Sequence, residues 1–177
     1  SADMKYPQML YQKGLSSQIP RTYAYGILVL WSMKNLDLSQ GIPVLKDARV
    51  QKIALANPQV SPYGRESVNA TKYYKLYPDV NKKFVYGESL AQVNDFIFSQ
   101  SADIGFTSKS TVVSPRLPQR GVWVEIPAEG YHRLAQGAVI LQHGEKNNPE
   151  AAQEFYNFLF SPEAKAIFKK YGYTADE

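Results

Sequence analysis

The chain has 177 residues, of which 44% are hydrophobic and 20% charged. This composition is normal for a globular protein, suggests neither disorder nor a membrane protein, and permits one domain or two small lobes with a buried core. It contains no cysteine, which excludes disulfides, thiolate metal sites and cysteine nucleophiles. The net charge of +4 favours an anionic partner, but the basic residues are scattered and form no stripe, so no nucleic-acid partner is predicted.

The first part of the chain predicts a short helix followed by strands that alternate with loops and helices. Asp3 is a suitable N-cap and Gly14 a suitable stop for the first helix. The run Ile27 to Trp31 is apolar throughout, typical of a strand covered on both faces and too short to span a bilayer. Up to residue 76 we predict a helix within 3–14, a strand at 27–31, a loop at 34–47, a strand at 50–56 and a helix at 63–76.

The remaining chain continues the alternation. Leu90, Val93 and Ile97 recur at helical spacing after a short apolar run. The predicted strands are 84–86, 103–106, 123–126 and 138–141, and the predicted helices are 89–99, 149–160 and 161–171. Strands alternating with helices predict an α/β protein with largely parallel sheets.

The segment from Asn57 to Gly64 lies between a predicted strand and a predicted helix. Ser61 is a natural N-cap and Pro62 fits the first helical position. The backbone N–H groups of Tyr63 and Gly64 then lack partners within the helix. With the positive end of the helix dipole, they predict an anion site at the carboxyl end of a strand.

A second strand–turn–helix junction has the same design. Ser89 and Gln92 match a capping box, which places the N–H of Leu90 in the first turn. Two such helix starts at one sheet edge would surround an oxyanion with uncharged donors, although most helix starts are capped only by water or by their own side chains. The third junction, at Ser108, is a weaker candidate, and Lys109 beside it is expected to be exposed.

Enzymatic interpretations find little support. His132 and His143 lack metal-ligand spacing, and the chain has neither a Walker loop nor a G-x-S-x-G motif. Four acidic residues have no evident partner: Asp47, Glu66, Glu88 and Asp103. We therefore predict no catalytic residue, no resident metal and no cofactor, while an enzyme would require a pair of these acids to meet in the fold.

Several motifs occur in order across nearly the whole chain: Ser1-Ala2-Asp3, Tyr23 to Ser32, Ile53 to Pro58 with Pro62-Tyr63-Gly64, Gly87 to Gln92, Ala102 to Phe106, Gln136 to Val139 and Lys170 to Tyr173. Together, and in this order, they resemble the molybdate-binding proteins of ABC transporters, which are type II periplasmic binding proteins.

The resemblance implies two lobes joined by two crossing strands near Ser32 and Tyr131, with closure by a hinge at the crossings. Lobe I would comprise residues 1–32 and 132–177, and lobe II residues 33–131. The resemblance also implies a periplasmic receptor, secreted or lipid-anchored where no outer membrane exists, that docks on a membrane permease.

The ligand implied by the resemblance is molybdate or tungstate, held by backbone amides and hydroxyl groups. The positions that match the family's donors are Tyr63 and Leu90, both through N–H, with Gly64 and Ser108 as weaker candidates. Alternatives are a receptor for another oxyanion, such as sulfate, and the sensor domain of a transcription regulator, which would need a DNA-binding segment upstream.

One departure concerns lobe I. Family members begin earlier, with further strands and two serine- or threonine-bearing loops that contribute ligand donors. The resemblance therefore implies an incomplete lobe I in this chain, with weak or no binding of molybdate by the chain alone. It also implies exposed sheet edges and apolar surface, which favour self-association.

Overall fold

The computed structural model describes residues 1–176, which divide into two compact units. Unit 1 consists of Ser1–Gly26 and the residues from 134 onward, and unit 2 consists of Ile27–Arg133. From the sequence we expected the first boundary between the lobes at residues 32/33, after the strand that begins at Leu28. In the structure this strand belongs to the sheet of unit 2, so the boundary precedes it. Within residues 1–176, no helix has both the length and the apolar character needed to cross a membrane.

The secondary structure follows the predicted alternation. The helices are α1 (Lys5–Gln12), α2 (Pro62–Tyr73), α3 (Tyr77–Val80), α4 (Leu90–Phe98), α5 (Lys109–Val112), α6 (Gln142–Asn147), α7 (Pro149–Phe158) and α8 (Pro162–Lys170). The strands are β1 (Arg21–Gly26), β2 (Leu28–Ser32), β3 (Ile53–Ala56), β4 (Phe84–Gly87), β5 (Ile104–Ser108), β6 (Val122–Glu125) and β7 (Leu134–Ala138).

Unit 2 is built on a five-stranded sheet in the order β4-β3-β5-β2-β6. Strand β3 runs parallel to β4 and β5, whereas β2 runs antiparallel to β5 and β6. The α/β class is confirmed, and the sheet is mixed rather than mainly parallel. A continuous apolar run such as that of β2 indicates that both faces of the strand are buried. It does not indicate whether the strand runs parallel or antiparallel to its neighbours, because both arrangements can bury both faces.

The core of unit 2 lies where α4 packs on this sheet. Val29 and Trp31 of β2, Ala54 of β3, and Val93 and Ile97 of α4 are all fully buried in one cluster. Burying a side chain of the size of Val or Ile contributes about 1.5–3 kcal/mol. The packing fixes α4, and with it the position of its first turn, against the sheet.

Unit 1 contains a two-stranded antiparallel sheet of β1 and β7, in which Gly26 pairs with Leu134 and Arg21 with Ala138. The prediction of a strand at 138–141 was wrong, because the pairing with β1 ends at Ala138. Strand β1 itself was not predicted. The apolar residues 139–141 follow the strand and line a groove instead.

The groove lies on the surface of unit 1. It encloses a volume of about 650 Å³. Its apolar lining includes Tyr6, Leu10, Ile140, Phe155 and Tyr156. The fully buried apolar side chains of the described chain lie almost entirely in unit 2, so unit 1 has only a small core of its own.

Candidate anion site

The candidate site lies at one edge of the sheet of unit 2, where β3 and β4 end side by side. Ala56 pairs with Gly87, and the N–H of Asn57 donates to the carbonyl oxygen of Gly87 at 2.8 Å. Because the two strands are parallel, both end at the same edge of the sheet, and each is followed there by a helix. The starts of α2 and α4 therefore lie at the same edge of the sheet, the one formed by the carboxyl ends of β3 and β4, as the sequence predicted.

The start of α2 is capped as expected. Ser61 has extended backbone angles, and its Oγ accepts the N–H of Gly64 at 3.3 Å. Pro62 occupies the first turn, and the carbonyl oxygen of Ser61 accepts the N–H of Arg65 at 3.0 Å. Tyr63 lies in this first turn with a buried side chain, so its backbone N–H is held in a fixed position.

Gly64 brings the first turn of α2 close to the end of β3. A Cβ on this residue would lie 2.0 Å from the carbonyl oxygen of Ala56, which no real side chain tolerates. The N–H of Gly64 is already engaged by Ser61. The structure therefore gives Gly64 a clear packing role in placing its neighbour Tyr63.

The start of α4 has two caps. Ser89 Oγ accepts the N–H of Gln92 at 3.2 Å, and Gln92 Oε1 accepts the N–H of Glu88 at 2.7 Å. The predicted Ser–Gln pair is thus present, with the glutamine reaching Glu88 rather than the backbone of Ser89 itself. Within residues 1–176, no acceptor engages the N–H of Leu90 or Ala91, which are aligned with the helix dipole.

The third junction is arranged differently. Ser108 is buried at the end of β5, and its Oγ accepts the N–H of Thr111 at 3.3 Å. The same oxygen lies 2.9 Å from Ser110 Oγ and 3.0 Å from Thr111 Oγ1, so this hydroxyl is already well engaged. Lys109 pairs with Glu125 at 2.6 Å and its side chain is only 25% exposed, so the expectation of a freely exposed lysine was wrong.

Glu66, one turn into α2, is the most deeply buried acid near this edge, with a side chain 5% exposed. Its Oε2 accepts the backbone N–H of His132 at 2.9 Å and a side-chain N–H of Asn69 at 3.0 Å. Burial alone would raise the pKa of Glu66, but the hydrogen bonds from Asn69 and His132 outweigh it and lower that pKa. Sequence reasoning missed this contact because the partners are distant in the chain.

The chain also enters and leaves unit 2 at this edge. Leu28, at the start of β2, pairs with Ser108, at the end of β5. The backbone N–H of Leu28 donates to the hydroxyl of Tyr131 at 3.1 Å. The crossing segments therefore lie beside the starts of the helices that follow the parallel strands.

Comparison with known families decides the broad class of the protein. A family model described as bacterial extracellular solute-binding protein matches residues 1–174. The chain belongs to this family. Its members are receptors that bind solutes outside the cytoplasm, not enzymes, and the resemblance noted in the sequence motifs is confirmed.

Two relatives of this solute-binding protein match over nearly its whole length. It is 35% identical over 174 residues to the molybdate-binding protein ModA of Azotobacter vinelandii, covering 98% of this chain and 68% of the relative. It is 31% identical over 179 residues to ModA of Rhodobacter capsulatus, covering 99% of this chain and 68% of that relative.

Solved structures agree with the sequence comparisons. The periplasmic molybdate-binding protein of Azotobacter vinelandii matches with a TM-score of 0.88 and 31% identity, over 100% of this chain and 77% of that chain. Peb3 of Campylobacter jejuni matches with a TM-score of 0.70 and 19% identity over 99% of this chain and 77% of its own, a likeness of fold alone. The predicted periplasmic-binding-protein fold is thereby confirmed.

Proposed function

We propose that this solute-binding protein is a receptor for molybdate, which it delivers to an ABC importer. The observation that carries the proposal is the pair of capped helix starts at the shared carboxyl edge of β3 and β4. The names of the relatives that match almost the whole chain support molybdate as the ligand. The proposed location is the periplasm, or the outer surface with a lipid anchor where no outer membrane exists.

The donors in this proposal are the backbone N–H groups of Tyr63 and Leu90. A backbone donor carries no formal charge and does not depend on the side chain, so leucine serves as well at position 90 as any residue other than proline. Gly64 and Ser108 have subordinate roles, because the N–H of Gly64 and the hydroxyl of Ser108 already take part in caps.

A pocket made only of donors selects among tetrahedral anions by their protons. Molybdate and tungstate are fully deprotonated at neutral pH, whereas phosphate retains protons that would meet donors without an acceptor. The charge of unit 2 supports an anionic ligand, since its 13 Lys and Arg residues outnumber its 9 Asp and Glu residues.

Replacing Leu90 by proline gives a direct test, because it deletes one N–H without opposing the helix. Proline is favoured at the first helical position, and Ser89 already has the extended angles (φ −142°, ψ 163°) that a residue before proline requires. Losing a hydrogen bond to a charged ligand should weaken molybdate binding roughly tenfold or more. The measurement is a titration followed by amide NMR shifts, which detects the weak binding that we propose for this chain.

Leu90→Ala is the matched control, because it shortens the side chain and keeps the N–H. On addition of molybdate we expect the amide resonances of residues 63 and 90 to shift both in the wild type and in Leu90→Ala. Parallel titrations with sulfate and tungstate define which oxyanion the protein prefers. Absence of shifts at both amides in the wild type at millimolar molybdate, or unchanged affinity in Leu90→Pro, would overturn the proposal.

The self-association expected from the sequence is also proposed, with a second copy of the chain covering the groove of unit 1. Phe155 protrudes at this groove with 65% of its surface exposed, so one face offers both an apolar cavity and an apolar side chain to fill it. A surface that carries both is suited to a twofold contact. Unit 1 has seven basic and seven acidic residues, so charge does not oppose such a contact.

A further inference from the structure

Glu66 joins α2 to the segment by which the chain leaves unit 2. Its carboxylate accepts the backbone N–H of His132 at 2.9 Å, immediately before the boundary that follows Arg133. The imidazole Nδ1 of His132 also lies 3.0 Å from Glu66 Oε2, but this side chain is 84% exposed, so solvent screens its contribution. The backbone contact is the stronger part of the link.

The incoming segment is tied to the same place. The hydroxyl of Tyr131 accepts the N–H of Leu28, one residue after the chain enters unit 2 at Ile27. The entering and leaving segments are thus bonded to each other through Tyr131, and the leaving segment is bonded to α2 through Glu66. We refer to Leu28, Glu66, Tyr131 and His132 as the crossing cluster.

Holding a backbone N–H does not by itself require a buried carboxylate. Water would satisfy the N–H of His132 in a surface segment, whereas burying an ionised carboxyl group costs free energy unless its oxygens are well paired. Glu66 Oε1 lies 3.4 Å from Arg65 Nε, and Oε2 is held by Asn69 and His132. This arrangement fixes the geometry between the first turns of α2 and the leaving segment.

We propose that Glu66 is a positioning residue that couples ligand binding at the start of α2 to the two segments that cross between the units. This inference rests on the proposed function, because it assumes that the ligand binds at Tyr63, one turn before Glu66. A shift of the first turn of α2 on binding is passed through the carboxylate to His132, and through Tyr131 to Leu28.

The test compares molybdate-induced amide NMR shifts in the wild type and in Glu66→Ala. In the wild type we expect shifts at Tyr63 and Leu90 and also at Leu28 and His132. In Glu66→Ala the shifts at the first pair should remain, whereas those at Leu28 and His132 should be lost. A merely structural carboxylate would lower the melting temperature and leave the shifts at the crossing cluster in place.

Three further variants sharpen the test. His132→Ala keeps the backbone N–H and should preserve the coupling. Asp95→Ala removes an exposed acid from the second turn of α4 and should change nothing. If Glu66→Ala does not fold, Glu66→Gln, which keeps one acceptor oxygen, should reduce the shifts at His132 relative to those at Tyr63.

The outcomes separate the two proposals. No shift at Tyr63 and Leu90 in the wild type refutes the site itself. Shifts at the site without any at Leu28 and His132 refute the role of Glu66 and leave the site standing. Full coupling in Glu66→Ala does the same, as does full coupling in Glu66→Gln where Glu66→Ala does not fold.

Discussion

At position 64, an added methyl group would meet backbone that has no freedom to move. The Cβ of an alanine would lie 2.0 Å from the carbonyl oxygen and 2.7 Å from the carbonyl carbon of Ala56. Relief requires the first turn of α2 to move away from β3. We expect Gly64→Ala to lower the free energy of unfolding by about 3 kcal/mol and to abolish the molybdate-induced shift at Tyr63.

Gly144→Ala is the matched control for this prediction. Gly144 lies in α6, where a new Cβ would meet its nearest neighbour at an ordinary 3.5 Å, so this change should be neutral or stabilise by up to about 1 kcal/mol. Urea denaturation of both variants measures the difference. Equal stability of the two variants would contradict the close approach of α2 to β3.

At the scale of elements, Asp103 ties three segments of unit 2 together. Its carboxylate accepts the N–H groups of Gln51 and Lys52, each at 2.7 Å, just before β3, and it pairs with Lys34, which follows β2. Burial would raise the pKa of Asp103, but the hydrogen bonds from Lys34, Lys52 and Gln51 outweigh it, so the pKa is lowered. The charged form is therefore the one that stabilises the fold.

A lowered pKa determines the direction of the pH dependence. The contribution of Asp103 is present in full above the pKa of an unfolded aspartate, about 3.9, and is lost as the pH falls through the lower pKa of the folded state. We expect Asp103→Asn to cost about 2 kcal/mol at pH 7, and the difference from wild type to shrink below pH 4. Denaturation midpoints at several pH values measure the stability difference between wild type and variant, and Asp95→Asn, at an exposed position, is the control. A stability difference that does not change with pH would contradict the role of the charge.

Local signals explain which elements the sequence predicted. Ser61 and Ser89 cap their helices through residues three positions ahead, so a short window of sequence contains both partners. The direction of β2 and the contact between Glu66 and His132 depend on partners far away in the chain. A single sequence carries no signal for such pairings, so the helix starts were predicted and the crossing cluster was not.

Strand β7 illustrates a different reason for failure. Hydrophobicity favoured residues 138–141, yet the strand ends at Ala138 because β1 offers no partner beyond Arg21. In unit 1 apolar character therefore marks exposed surface as well as core. Leu141 and Phe155 remain 42% and 65% exposed.

The two units of the molecule differ in charge and in apolar surface. Unit 2 has an excess of basic residues and a well-filled core, whereas unit 1 is neutral in net charge and has most of the exposed large apolar side chains. Net charge opposes association, while exposed apolar patches favour it. Any self-association should therefore occur through unit 1.

Phe155 is the side chain whose loss should reveal this contact. Because it is 65% exposed, Phe155→Ser should change the free energy of unfolding by no more than about 0.5 kcal/mol while weakening the association. Phe98→Ser removes a phenylalanine that is 40% exposed at the end of α4 in unit 2, and should leave the association unchanged. Sedimentation equilibrium over a range of concentrations measures the average mass of each protein. A wild type that remains monomeric at high micromolar concentration, or equal effects of the two substitutions, would exclude the groove of unit 1 as the contact between copies.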